Sequence, residues 1–172
     1  MRDATQIRFE TKRLVLRPFQ TGDVGDCLDY RNDAEFARYL PHIPQPFTRL
    51  DAEAFVRQNM TEPFDRSPTF AVVLGDKVIG TVNLEIDAVS GSAMLGYAIG
   101  RNYWGRGLAT EAAEAVLSWA FGVLELGRVW ASVSPGNVRS QRVLTKLGMS
   151  PQAPTPELIF AISSEEWFGR RR

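Results

Sequence analysis

Residues 103–112, YWGRGLATEA, join the end of an apolar strand to the start of a long helix. Upstream, AMLGYAI has strand character as far as Ile99-Gly100. Downstream, Leu108, Ala112, Ala115, Val116, Trp119, Ala120 and Val123 recur at spacings of three and four, the stripe that packs a helix on a sheet. The junction is therefore strand–loop–helix, with Gly105 and Gly107 in the loop. Glycines let the backbone approach a ligand closely, and the unpaired N–H groups of a helix start, at the positive end of its dipole, suit a pyrophosphate. Arg106 adds a formal positive charge. Two glycines also make any tight turn, so the surrounding chain has to decide between the two readings.

Working outward, residues 69–99 form three strands in antiparallel succession: FAVVL, a turn at Gly75-Asp76, KVIGTVNLEI, a looser turn at Ser90-Gly91, and AMLGYAI. After the long helix come a strand at Arg128 to Val133, a helix from Asn137 to Leu147 stopped by Gly148, and a strand at Leu158 to Ile162. Before the meander, Lys12 to Arg17 alternates as a strand and stops at Pro18. Short helices follow Asp23 and Asp33, the prolines of PHIPQP (41–46) exclude regular helix, and Thr48 caps a helix whose stripe is Ala52, Phe55, Val56 and Met60. The expectation is one α/β domain over residues 1–172, with a mixed, mostly antiparallel sheet flanked by helices.

Composition narrows the function classes. Twenty basic and twenty acidic residues cancel, so no net basic field points to nucleic acid or an anionic membrane. Arg170 to Arg172 are expected to be a solvated tail. The single cysteine, Cys27, excludes an internal disulfide and falls on an apolar helix face with Val24 and Leu28, as a core residue would. No apolar stretch approaches the ~20 residues that span a bilayer, and Met1 to Glu10 lacks the apolar centre of a secretory signal, which together imply a cytoplasmic protein.

Two phosphate-binding signatures fail at the loop. There is no GKS/T ending a Gly-framed loop, as a P-loop needs, and Gly105-Arg106-Gly107-Leu108-Ala109-Thr110 lacks the third glycine of GxGxxG. The strand RVWASV also ends without the acidic residue that holds a ribose. What fits is Q/R-x-x-G-x-G/A, the pattern of the GNAT N-acetyltransferases, with Trp104 at its first position. YWGRGLATEA resembles the branch that includes the RimJ/RimL-type ribosomal-protein N-terminal acetyltransferases. The resemblance extends over nearly the whole chain through TKRLVLRPF, ARYLP, LGYAI, NVRSQRVLTKLGM and a final strand running into EEW.

The resemblance implies an enzyme that passes an acetyl group from acetyl-CoA to an amine, by direct attack in a ternary complex and without a metal. It implies a splayed central strand whose main chain, at Ile99 and Gly100, pairs with the pantetheine arm. The pyrophosphate is expected on the N–H groups of Gly105, Arg106, Gly107, Leu108, Ala109 and Thr110, with Asn137 touching the arm and Arg142 and Lys146 near the phosphates. Ser140 is the expected acid for the departing thiolate, though Asn137 and Ser140 also have the types and spacing of a helix cap. Tyr97 either orients a reactant or packs its ring on the sheet. A base is harder to place, because related enzymes often carry Glu two residues before Gly-Tyr, where this chain has Met94. Glu85 on the neighbouring strand is the first substitute and His42 the second. A weak base favours an acceptor of low pKa, such as a peptide N-terminus, over a lysine side chain; a small-molecule amine stays open. A homodimer through Trp104 and a meander edge is one further possibility. The rival from another class is a catalytically silent acyl-CoA-binding sensor or interaction module.

Overall fold

The computed structural model describes residues 7–152 and 156–172; positions 1–6, part of the stretch considered for a secretory signal, lie outside the described residues. In chain order the elements are β1 (Phe9–Glu10), β2 (Leu14–Pro18), α1 (Val24–Arg31), α2 (Ala34–Ala37), α3 (Arg49–Thr61), β3 (Thr69–Leu74), β4 (Lys77–Asp87) and β5 (Ser92–Ile99). There follow α4 (Leu108–Gly122), β6 (Arg128–Val133), α5 (Val138–Lys146), β7 (Ser150–Pro151), β8 (Leu158–Ser163) and α6 (Ser164–Gly169). The helix starts obey local chemistry: Asp33 accepts from the N–H groups of Glu35 and Phe36, and Thr48 and Asp51 form a reciprocal capping box.

The strands make one eight-stranded sheet in the order β1-β2-β3-β4-β5-β6-β8-β7. Every neighbouring pair is antiparallel except β5 and β6. Those two run parallel, and only Ser92, Ala93 and Met94 find partners, at Arg128, Val129 and Trp130. Beyond Met94 the strands part, while β6 stays paired with β8 as far as Val133. The mixed sheet with a splayed central strand is thus present, and the splay is a wedge in mid-sheet. The β3 side of the meander is covered, because β2 pairs with Phe70 to Leu74, and the open edge of the meander is β5 beyond Met94.

Each face of the sheet carries its own core. On one, α4 packs against Leu14, Phe70, Ile79 and Leu95; on the other, α1 and α3 enclose Cys27, Phe36, Val56 and Val78. The α4 stripe expected from periodicity needs correction. Val123 is exposed, whereas Ala113, Leu117 and Phe121 are buried in the main core, and Phe121 meets the ring of Trp167 of α6 at 5.6 Å. Fully burying side chains such as Leu117 and Phe121 is worth about 1.5–3 kcal/mol each. Likewise Met60, at the end of the α3 stripe, is half exposed. Nor are the terminal arginines all solvated: Arg171 stacks 3.3 Å from the Trp167 ring centroid and pairs with Glu114 of α4 at 2.5 Å.

Candidate active site

Main-chain directions along β5 define the wedge. Gly100 donates its N–H to Ile79 of β4, and alternation then turns the N–H groups of Ile99 and Tyr97 the other way, into the gap left by β6. The carbonyl of Ile99 also points there, where the indole N–H of Trp104 donates to it at 2.6 Å. Gly100, expected to pair with the cofactor arm, uses its N–H on Ile79 and its carbonyl on the N–H of Tyr103. A main-chain partner for an extended arm is therefore offered by Tyr97 and Ile99, and not by Gly100.

The loop that follows is shaped by two left-handed glycines, Gly105 and Gly107, both at φ +74°, a conformation costly for any residue with a Cβ. Gly107 is the N-cap of α4 and brings no side chain to the helix start, so the N–H groups of Leu108, Ala109 and Thr110 open onto the cleft. Behind the loop, Glu111 in the first turn of α4 accepts from Thr11 Oγ1 at 2.6 Å and from the main-chain N–H and the guanidinium of Arg13. Arg13 in turn donates to the carbonyl of Arg106 at 2.9 Å. TKRL (11–14) and TEA (110–112) in the first turns of α4, two marks of the family resemblance, are thus parts of one network. Burial pushes the Glu111 carboxyl up, but the hydrogen bonds from Thr11 and Arg13 outweigh it and hold the group below the ordinary glutamate value.

Across the wedge stands α5. Asn137 caps it by accepting the N–H of Ser140 at 3.2 Å, so the structural role expected of this pair is present. The Ser140 hydroxyl lies 2.6 Å from the Tyr97 hydroxyl, which also donates toward the Ser140 carbonyl at 3.0 Å. Tyr97 packs its ring against the main core, as the packing reading expects, while its oxygen reaches Ser140. Burial raises the phenol to about 12, against a smaller opposing effect of the Ser140 hydrogen bond. Cys27, by contrast, is buried in the second core with its thiol raised to about 12 by burial, and takes no part in the cleft.

Two cavities meet at this pair. One, of about 710 Å³, runs between the glycine loop, the start of α4 and α5. Its cationic lining comprises Arg38, Arg139, Arg142 and Lys146 against the single carboxylate of Glu35. Arg139, which the sequence did not single out, stacks 4.3 Å from the Trp104 ring. The second, of about 490 Å³, lies on the α1 and α3 face and holds Glu85, Met94 and His42 together with Arg31 and Glu62. Tyr39, Tyr97, Asn137 and Ser140 line both cavities. Tyr39 bridges the opening by donating to the carbonyl of Gly136 at 2.9 Å. The structure therefore gathers Tyr97, Ser140, Glu85 and His42 along one path between the two cavities. Trp104, considered above as a dimer contact, is half-buried beside the cationic cavity.

A basic cavity with open helix N–H groups, continuous through a hydroxyl pair with a second cavity, has the form of a site for a phosphorylated group donor beside an acceptor. Residues 13–150 match the family model described as an acetyltransferase (GNAT) domain. The chain belongs to the GNAT acetyltransferase family. Among its relatives is an uncharacterized N-acetyltransferase, YnaD, of Bacillus subtilis, 32% identical over 91% of this chain and 97% of that one. The spermidine N(1)-acetyltransferase of Escherichia coli K12 is 30% identical over 78% of this chain and 72% of its own. The crystal structure of a GNAT-family acetyltransferase from Bacillus anthracis superimposes with a TM-score of 0.82 at 27% identity, covering 92% of this chain and 99% of that one.

As a GNAT enzyme the protein is an acyltransferase whose cosubstrate is acetyl-CoA. The residues present fit that molecule. Several negative charges would meet four cations and unpaired helix N–H groups, and a flexible amide-bearing arm would meet the unpaired β5 edge. Among the described residues no group of three or more His, Cys, Asp or Glu side chains is placed to hold a metal, and no helix is long and apolar enough to cross a membrane.

Proposed function

We propose that the enzyme transfers the acetyl group by direct attack of an amine in a ternary complex, with chemistry centred on Ser140 and Tyr97. The observation that carries this reading is the 2.6 Å contact of their hydroxyls at the point where the two cavities join. Acetyl-CoA supplies an activated thioester. Gly105, Arg106, Gly107, Leu108, Ala109 and Thr110 hold its pyrophosphate, and Ile99, Tyr97 and Asn137 align its arm. The N–H groups turned into the wedge polarise the carbonyl to be attacked. In the reacting arrangement the single phenol hydrogen of Tyr97 turns from the Ser140 carbonyl to Ser140 Oγ, which leaves the serine hydrogen free for the departing sulfur. A thiol of ordinary pKa, near ~8.5, leaves more readily with such a donor, by about 10²-fold.

The amine loses its proton on the other side, where Glu85 is the base of first choice and His42 the second. The acceptor is a peptide N-terminus or a small-molecule amine, and on its sequence marks the chain falls in the RimJ/RimL-like branch. Initial rates measured while varying both substrates test the mechanism: intersecting lines are expected, and parallel lines would exclude a ternary complex. Ser140→Ala is expected to lower kcat at saturating acetyl-CoA by about 10²-fold with cofactor affinity kept. A wild-type protein that binds acetyl-CoA yet turns over no amine would instead be a silent acyl-CoA-binding module.

A further inference from the structure

Arg31, the last residue of α1, is 6% exposed and lines the acceptor cavity, and its Nε has no hydrogen-bond partner. No carboxylate among the described residues forms an ion pair with it. Its guanidinium is held by stacking, 3.8 Å from the ring centroid of Phe55 and 5.2 Å from that of Phe47, and its carbonyl accepts from Gln45 Nε2 at 2.8 Å. The neighbouring buried hydroxyl of Tyr30 is also without a partner, and burial raises its pKa far above that of a free phenol, so it offers no counter-charge.

Stacking and a helix C-terminus both favour a cation. Removing a guanidinium from water costs more than either supplies, and neither effect provides an acceptor for Nε. Other ionisable groups of the cavity do not compensate it. Glu62 accepts from Gln58 Nε2 at 2.9 Å, Glu85 stands on the exposed β4 rung opposite Met94, and His42 brings no negative charge. A buried guanidinium with no counter-charge and an unpartnered Nε, lining an acceptor cavity, is an anion site, and the neutral Tyr30 oxygen beside it does not supply that charge.

We infer that Arg31 binds an anionic group of the acceptor, so that the preferred acceptor is a small amine that also carries a carboxylate or a phosphate. The assignment rests on the acetyl-transfer reading of this cavity. It sets the enzyme apart from one built for a polycation such as spermidine, for which a buried arginine is a repulsive element.

The test compares kcat/KM at saturating acetyl-CoA for matched acceptors: the common amino acids each against its primary amide, phosphoethanolamine against ethanolamine, and spermidine. A preference for the anionic member of at least one pair by roughly 10- to 100-fold is expected, with spermidine among the poorest. Which pair shows it distinguishes carboxylate from phosphate. Arg31→Met should abolish the preference, leave acetyl-CoA affinity unchanged, and raise the ligand-free Tm, since it removes an unpaired buried charge. Arg31→Lys keeps the charge but loses the fork, and should retain only part of the preference. Equal rates within every pair, faster transfer to spermidine, or an Arg31→Met protein with lowered Tm and an unchanged preference would overturn the assignment while leaving acetyl transfer intact. Failure to acetylate any amine, with acetyl-CoA still bound, would overturn the transfer reading and the Arg31 assignment with it.

Discussion

Glu85 lies directly opposite Met94 in the antiparallel register of β4 and β5, and both line the acceptor cavity. Directly opposed residues in a sheet have Cβ atoms about 4.5–5.5 Å apart. A carboxylate on β4 therefore stands one strand aside from the position where related enzymes often place Glu on β5. On the proposed mechanism the base is displaced across a rung, with Glu85 taking the part that Met94 cannot. Glu85→Gln is expected to lower kcat/KM for the amine by about 10²-fold near neutral pH, with acetyl-CoA affinity unchanged. Adding Met94→Glu to that variant should restore part of the loss. Rates unaffected by Glu85→Gln but lost in His42→Ala would move the role to the loop.

The Tyr97 and Ser140 hydroxyls should behave as a unit. Removing either breaks the same proton path, so Tyr97→Phe, Ser140→Ala and the double variant are expected to lower kcat to similar extents, far short of additive. Because burial lifts the phenol to about 12, Tyr97 stays protonated at any pH below about 10, and an alkaline limb in that range must persist in Tyr97→Phe. Additive losses in the double variant would show that the two groups act separately.

Most of the sheet and the cofactor loop were legible in the sequence, because alternation, glycine placement and caps are local. Arg128 to Val133 forms β6 as expected, and Asp33, Thr48 and Asn137 cap the helices they were expected to open. What escaped depends on long-range packing. The helix α6 is announced only by the capping box of Ser163 with Glu166, and the burial of Phe121 against Trp167 and the docking of Arg171 depend on it. Gly100 was misplaced as a main-chain partner because strand direction toward β4 or the wedge depends on register, which periodicity does not give. Arg31 left no signal at all, since a helix-ending arginine is ordinary until its neighbours prove to be Phe47 and Phe55.

Glu111 ties the pyrophosphate loop to the start of the chain, and its loss should be felt in stability and in binding. Its side chain is 17% exposed and accepts from Thr11 and Arg13, so Glu111→Gln is expected to cost about 1–3 kcal/mol. For a chain of this size that is roughly 2–12 °C in Tm. The folded carboxyl lies below its unfolded value, so its contribution is fully present above about pH 4.3 and is lost as pH falls through the depressed folded value. Unfolding followed from neutral to acid pH should show the wild type and Glu111→Gln converging. A constant gap between them would remove the carboxylate from the account.

Gly107 offers the test of the proposal that the loop before α4 holds the cofactor's pyrophosphate. At φ +74° a Cβ costs about 1–2 kcal/mol, yet none of the surrounding atoms is closer than 3.7 Å to where that Cβ would stand, so Gly107→Ala should fold with a modest loss of Tm. Relief of the strain would rotate the first N–H groups of α4 away from the cleft, and binding should suffer more than folding. Wild-type protein at ~1,000 times the dissociation constant of acetyl-CoA gains about 4 kcal/mol, a rise of roughly 10 °C. Thermal unfolding with acetyl-CoA, CoA, NADH and ATP in parallel should give that rise for the two CoA species alone. In Gly107→Ala it should shrink to a few degrees at the same concentration. A full rise in the variant would mean that the cationic side chains of the cleft, not the helix start, hold the pyrophosphate.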